Sequence, residues 1–191
     1  MEAVKGEGAD MAEPIPLSQR PGDIALVAFF SINVLAITYM QGFEQLVIAD
    51  PDHFEYPVWP PRFMVDAVHW WGRNYDPLLM ARPTWWRVII AIDATFFGPF
   101  YVCAVYAFTK GREWIRIPSI IWASVMLTMV AVILGEEMFG EHATPELAIV
   151  LFANALWALF PIFVLYRMIS RPHPFTAAAR AETVASGEAS P

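Results

Sequence analysis

Cysteine is almost absent. The single one, Cys103, rules out an intrachain disulfide and leaves the redox compartment undetermined; lying inside an apolar run, it reads as a packing residue. The four histidines, His53, His69, His142 and His173, have no metal-ligand spacing, so neither a metal nor a cofactor is expected. Charge is scarce, at 16% of residues, and the net charge of −7 comes with basic residues that gather on no one element. A nucleic-acid binder needs a basic footprint, so that class is excluded.

What replaces charge is apolar length. Hydrophobic residues make up 57% of the 191-residue chain and mean hydropathy is +0.45, beyond the range of soluble domains. Four stretches suffice to cross a hydrocarbon core that needs about 20 apolar residues: 24–48, 85–109, 117–139 and 145–168. The expected fold class is therefore all-α, a four-transmembrane-helix bundle over 23–169. Residues 1–22 and 170–191, poor in apolar content, are expected to be disordered tails. The first tail has no short apolar core behind a basic start, so it does not read as a signal peptide.

Between the first two spans lies a connection rich in proline (Pro51, Pro57, Pro60, Pro61, Pro83) and too polar to cross. Within it, Phe63 to Asn74 alternates aromatic and charged residues as a short interfacial helix would, with Trp70 and Trp71 at headgroup level, as Trp85 and Trp86 would also be. Asp23 is placed to cap the first span. Asp76 is placed to cap backbone or meet a polar group at the mouth of a site; a solvated turn aspartate reads equally well. Counting Lys and Arg, eight fall on the side of the termini and four on the other, which predicts cytoplasmic termini.

The polar residues inside the spans are the candidate chemistry, because lipid tolerates an ionisable group only where protein or enclosed water covers it. Asp93 stands in mid-span, five residues before the helix-breaking pair Gly98-Pro99. Asn33, Ile37, Gln41 and Glu44 recur at steps of four, four and three, one stripe of the first helix facing inward. Glu136 and Glu137 end the third span at the interface, with one of them able to turn inward. In the fourth, Asn154 and Trp157 share a face and Pro161 frees the carbonyl of Trp157.

Asp76-Pro-Leu-Leu, Pro83-Thr-Trp-Trp, Asp93, Gly98-Pro99-Phe100, Tyr106-Ala-Phe-Thr-Lys-Gly and Trp114-Ile-Arg-Ile-Pro-Ser-Ile-Ile-Trp resemble the EXPERA family in its sigma-2 receptor branch. Asn154-Ala-Leu-Trp157 followed by Leu-Phe-Pro161 is instead similar to its sterol Δ8-Δ7 isomerase branch, the emopamil-binding protein. The resemblance covers most of 24–168. It implies a membrane bundle with a hydrophobic pocket for a sterol, terpenoid-like or other lipid ligand, and intramembrane carboxylates at its centre. Asp93 falls where the receptor branch has its second-span glutamate. Anchored on Gly98-Pro99, the isomerase's glutamate falls at Ile90, one turn away. The first span departs from the isomerase pattern, with Ile37 and Gln41 where that branch has histidine and glutamate.

Acid-driven movement of a double bond, or cyclisation of a polyene, needs a carboxylic acid that burial keeps protonated, aromatic faces for the cation, and a group to take or steer the departing proton. The residues expected in these roles are Asp93 as donor, Glu44 with Gln41 as acceptor or relay, and Asn154 and Trp157 as orienters. Asp76, Tyr39, Phe96, Phe97 and Thr128 are expected to bind substrate. Two readings stand at this point, an isomerase and a non-catalytic sterol or lipid binder, with a scaffold subunit behind both. A homodimer is compatible with either. The expected location is the endoplasmic reticulum membrane in a eukaryote and the cytoplasmic membrane in a bacterium.

Overall fold

The computed structural model describes residues 14–176. Four helices long and apolar enough to cross a membrane dominate it: α1 (Pro21–Val47), α4 (Thr84–Lys110), α5 (Glu113–Phe139) and α6 (Leu147–Ser170). Between α1 and α4 lie the short α2 (Arg62–Asn74) and the single turn α3 (Pro77–Ala81). The bundle expected from the sequence is therefore present, with each span displaced by no more than a few residues.

Local chemistry explains the boundaries. Asp76 caps α3, its Oδ1 accepting from the Leu79 amide at 3.0 Å, and Pro77 takes the first helical position, where a missing N–H costs nothing. Arg82 then adopts a left-handed conformation (φ 47°) that turns the chain into Pro83 and α4. Gly111, at φ 63°, ends α4 in the same conformation, which glycine adopts without a Cβ penalty. Asp23 is not a cap: it lies inside the first turn of α1, buried, and pairs with Arg20 and Arg167.

In lipid the drive to bury apolar surface vanishes, so helices associate through packing and internal polar contacts. Here α5 packs along α6, and α1 along the second half of α4. The seam is aromatic: Phe30 meets Trp122 edge-on at 5.2 Å between centroids, and Phe100 stacks on Trp122 at 5.3 Å. A second cluster, Val68, Leu78, Leu79 and Trp86, seats α2 on the bundle. Trp86 is thus buried, with its indole N–H on the Gln45 carbonyl oxygen at 2.5 Å, whereas Trp70 is exposed as an interface anchor should be.

The folded body is longer than the 23–169 read from composition. Phe175 is fully buried against the guanidinium groups of Arg20 and Arg167, and its carbonyl accepts from the Ile15 amide at 2.8 Å. One aromatic and two arginines fold a stretch whose average composition looks unstructured. Residues 1–13 and 177–191, the remainder of the expected tails, lie outside the described residues. Cys103 is exposed on the outer face of α4 and does not pack in the core.

Candidate functional site

Two of the four spans leave α-helical geometry at the same level. Residues Asn33–Gly42 of α1 and Asp93–Phe97 of α4 are π-helical and adjoin each other. Such widened turns concentrate at functional sites. In α4 the cause is legible. The Gly98 amide donates to the Asp93 carbonyl, five residues back, so the next carbonyl, that of Ala94, would need a donor at position 99. Position 99 is proline, which has none. The Tyr39 hydroxyl fills the vacancy, donating to the Ala94 carbonyl at 3.1 Å. Gly98 makes that approach possible: a Cβ there would lie 2.3 Å from the Tyr39 oxygen.

Behind this paired distortion is a cavity of about 130 Å³. All four spans wall it. Ile37, Ile89, Ile90, Met126, Met129, Val130 and Ile133 make it apolar, and its polar lining side chains are Asp93 and Asn154, with the Trp157 ring beside them. The Tyr101 hydroxyl donates to Asp93 Oδ1 at a long 3.3 Å, and the buried Thr38 hydroxyl is a close neighbour outside hydrogen-bond geometry. Trp157 is held in place: its indole N–H donates to Asn33 Oδ1 at 3.0 Å, while the Asn33 amide donates to the Phe29 carbonyl at 2.8 Å. The Asn154 amide donates to the Val150 carbonyl at 2.9 Å, leaving its carbonyl oxygen available at the cavity side.

Of the residues singled out from the sequence, the cavity collects Asp93, Phe97, Asn154 and Trp157. Tyr39 shapes it from behind. Glu44 does not reach it. Its carboxylate, fully buried, takes two hydrogen bonds of 2.9 Å from Arg82 and lies 2.8 Å from His69 Nε2. Three groups from α1, α2 and the α3–α4 junction thereby form one network, which fastens α2 to the bundle. Burial pulls the Arg82 pKa down, and the Glu44 charge opposes that shift. Gln41 faces the underside of α2, among Met64, Val68 and Trp71. Phe96 is 70% exposed on the lipid side, and Thr128 is exposed with its hydroxyl on the Ser124 carbonyl. Asp76 caps α3 beside Glu137, which has turned inward and is 1% exposed; burial raises the Asp76 pKa.

Asn33, Tyr101, His69 and Arg82 make contacts that no sequence pattern reveals. For Tyr101 the reason is geometric. Positions eight apart on an α-helix point about 80° away from each other, but one residue absorbed by the π-turn brings Tyr101 back over Asp93. Among the described residues no group of three His, Cys, Asp or Glu side chains is arranged to hold a metal.

The family model EXPERA (EXPanded EBP superfamily) matches residues 63–168. This chain belongs to the EXPERA family. It is similar to the sigma intracellular receptor 2 of Xenopus tropicalis, 31% identical over 111 residues, covering 57% of this chain and 65% of that protein. It is also similar to the sigma intracellular receptor 2 proteins of Macaca fascicularis and Homo sapiens, each 32% identical over 80 residues, covering 41% of this chain and 46% of theirs. The matched regions thus span about half to two thirds of these relatives. The matched 63–168 contains α2 through α6, and hence Asp93, Asn154 and Trp157; the α1 wall lies outside it.

Proposed function

We propose that this EXPERA protein is a membrane-embedded isomerase of a sterol or terpenoid-like substrate, with Asp93 as its acid. The observation that carries the reading is the convergence of one carboxyl group, one amide and one indole in an otherwise apolar cavity. A greasy ligand site needs no carboxyl group, and a buried one must be offset by function or pairing. Here the one hydrogen bond it accepts among the described residues comes from a tyrosine at 3.3 Å, with the Thr38 hydroxyl close by.

The chemistry follows from there being a single carboxyl group in the cavity. Protonated Asp93 adds its proton to one carbon of a double bond, leaving a carbocation and an aspartate. The Trp157 face, fixed by Asn33, stabilises the cation through its quadrupole. Aspartate, on the same face, then takes a proton from the carbon on the far side of the cation, and the double bond reappears one position along. One proton leaves the acid and one returns, so no second base and no cofactor is consumed. Asn154 orients the reacting segment. Because Glu44 is held by Arg82 and His69, it serves to seat α2 on the bundle and not to move protons.

A second reading is ligand binding without turnover. The tyrosine already on Asp93, and relatives named as receptors, favour it. The two are separated by expressing wild type, Asp93→Asn and Glu44→Gln in a host lacking sterol isomerase and profiling sterols and terpenoids by mass spectrometry. A shifted double bond or new ring that disappears in Asp93→Asn supports the enzyme. Identical profiles with a sterol still co-purifying support the binder. The same preparations, labelled by a membrane-impermeant reagent at an introduced tail cysteine, test the proposed cytoplasmic termini.

A further inference from the structure

A second cleft lies at the end of the bundle that carries the termini, well separated from the Asp93 cavity along the spans. It encloses about 240 Å³ between the residue 15–19 segment, the first turn of α1 and the end of α6. Gly22 and Phe163 meet there so closely that a Cβ on Gly22 would stand 2.7 Å from the ring. The floor is therefore apolar. The walls are basic: Arg20, Arg167 and Arg171 line the cleft against one acid, Asp23.

These arginines are not equivalent. Arg20 spends its donors on the Ile15 and Phe108 carbonyls and on Asp23. Arg167 pairs ionically with Asp23 through Nε and donates from Nη2 to Asp23 Oδ2 and the Pro174 carbonyl, while its Nη1 makes no hydrogen bond among the described residues. Arg171, one turn further along, is exposed and likewise without a hydrogen bond among the described residues. Asp23 thus orders Arg167 without using its full donor set, and Arg171 adds a charge that makes no ion pair among the described residues.

The setting fits the same chemistry. Among the described residues at this end of the bundle, Arg20, Lys110, Arg112, Arg116, Arg167 and Arg171 stand with two acids, Asp23 and Glu113, in a chain whose net charge is −7. Because α1 begins and α6 ends here, the cleft stands at headgroup depth, with the exposed apolar side chains of Ile24, Phe163 and Tyr166 in or beside it. Guanidinium groups recognise phosphate by paired, charge-assisted hydrogen bonds. We propose that this cleft binds the phosphate of an anionic lipid headgroup, with Arg167 Nη1 and Arg171 as donors and the Phe163 surface against the acyl chain. Its occupancy fastens the ends of α1 and α6 together.

The test is native mass spectrometry of the full chain in a neutral detergent, titrated with phosphatidylglycerol, with phosphatidylcholine, and with inorganic phosphate. Wild type is expected to retain phosphatidylglycerol at least tenfold better than phosphatidylcholine, and Arg171→Gln to weaken that retention about tenfold, the worth of one charged hydrogen bond. Arg112→Gln, an exposed arginine outside the cleft, is expected to change it less than twofold. Equal retention of the two lipids overturns the proposal, as does an Arg112→Gln loss as large as that of Arg171→Gln, which would mean diffuse attraction. Inorganic phosphate binding as tightly as the lipid overturns the lipid assignment. Circular dichroism of Arg171→Gln guards against misfolding, and Arg171→Lys, which keeps the charge without the paired guanidinium donors, is expected to restore only part of the binding.

Discussion

Glu44 and Arg82, 38 residues apart in sequence, meet carboxylate to guanidinium at 2.9 Å with neither side chain exposed to solvent. The pair ties the end of the first span to the entry of the second, and His69 brings α2 into the same network. Arg82 also donates to the Ile48 and Leu79 carbonyls, so its left-handed backbone is held by four accepting oxygens.

Removing one partner of such a pair leaves a buried charge uncompensated, at about 3–5 kcal/mol. Arg82→Met and Glu44→Gln are each expected to lower the thermal midpoint of the detergent-solubilised protein. The double variant is expected to lose less than the two single losses added together. Additive losses would show that the two groups do not depend on each other.

Tyr39 and Gly98 form a matched pair at the distorted turn. Gly98→Ala is expected to push the Tyr39 ring away and empty the Ala94 carbonyl of its donor, costing about 1–3 kcal/mol for the unsatisfied group beyond the steric cost. Tyr39→Ala in the same chain removes the clash, so the second substitution should make Gly98→Ala nearly silent in a thermal denaturation series. A Gly98→Ala penalty that persists unchanged would place the strain elsewhere.

Asp76 gives a pH signature with a definite sign. Burial raises its pKa in the folded protein, against the opposing Glu137 contact and Leu79 amide. A group whose folded pKa lies above its unfolded value of about 3.9 stabilises fully below that value, and the contribution is lost as pH rises through the folded pKa. Stability measured from pH 4 upward should therefore carry a declining component, and Asp76→Asn, which keeps an oxygen to cap Leu79, should remove it. An Asn variant with the wild-type pH profile would assign that component to another group.

Apolar length and proline placement made the four spans and α2 legible in the sequence, because in a membrane protein those features determine where a helix can exist at all. The Asp93, Asn154 and Trp157 group was legible for the same reason, since polar residues in mid-span have few places to go. Glu44 was not. Its helical stripe pointed inward correctly, but the partners that hold it, His69 on α2 and Arg82 at the α3–α4 junction, reach it through a connection whose path no periodicity encodes. Phe96 and Thr128 failed in another way: a helix that is hydrophobic all round does not reveal which face meets lipid. Phe175 shows the limit of composition, where three side chains order a stretch that reads as tail.

The measurement that bears most directly on the account is product formed per bound sterol by purified wild type and Asp93→Asn, with ligand occupancy determined in the same samples. A positioned general acid contributes about 10²–10⁴-fold, so the Asn variant should lose at least a hundredfold in turnover while the sterol stays bound. Equal turnover in both proteins, or no turnover by wild type on any sterol or terpenoid that occupies the cavity, would contradict it.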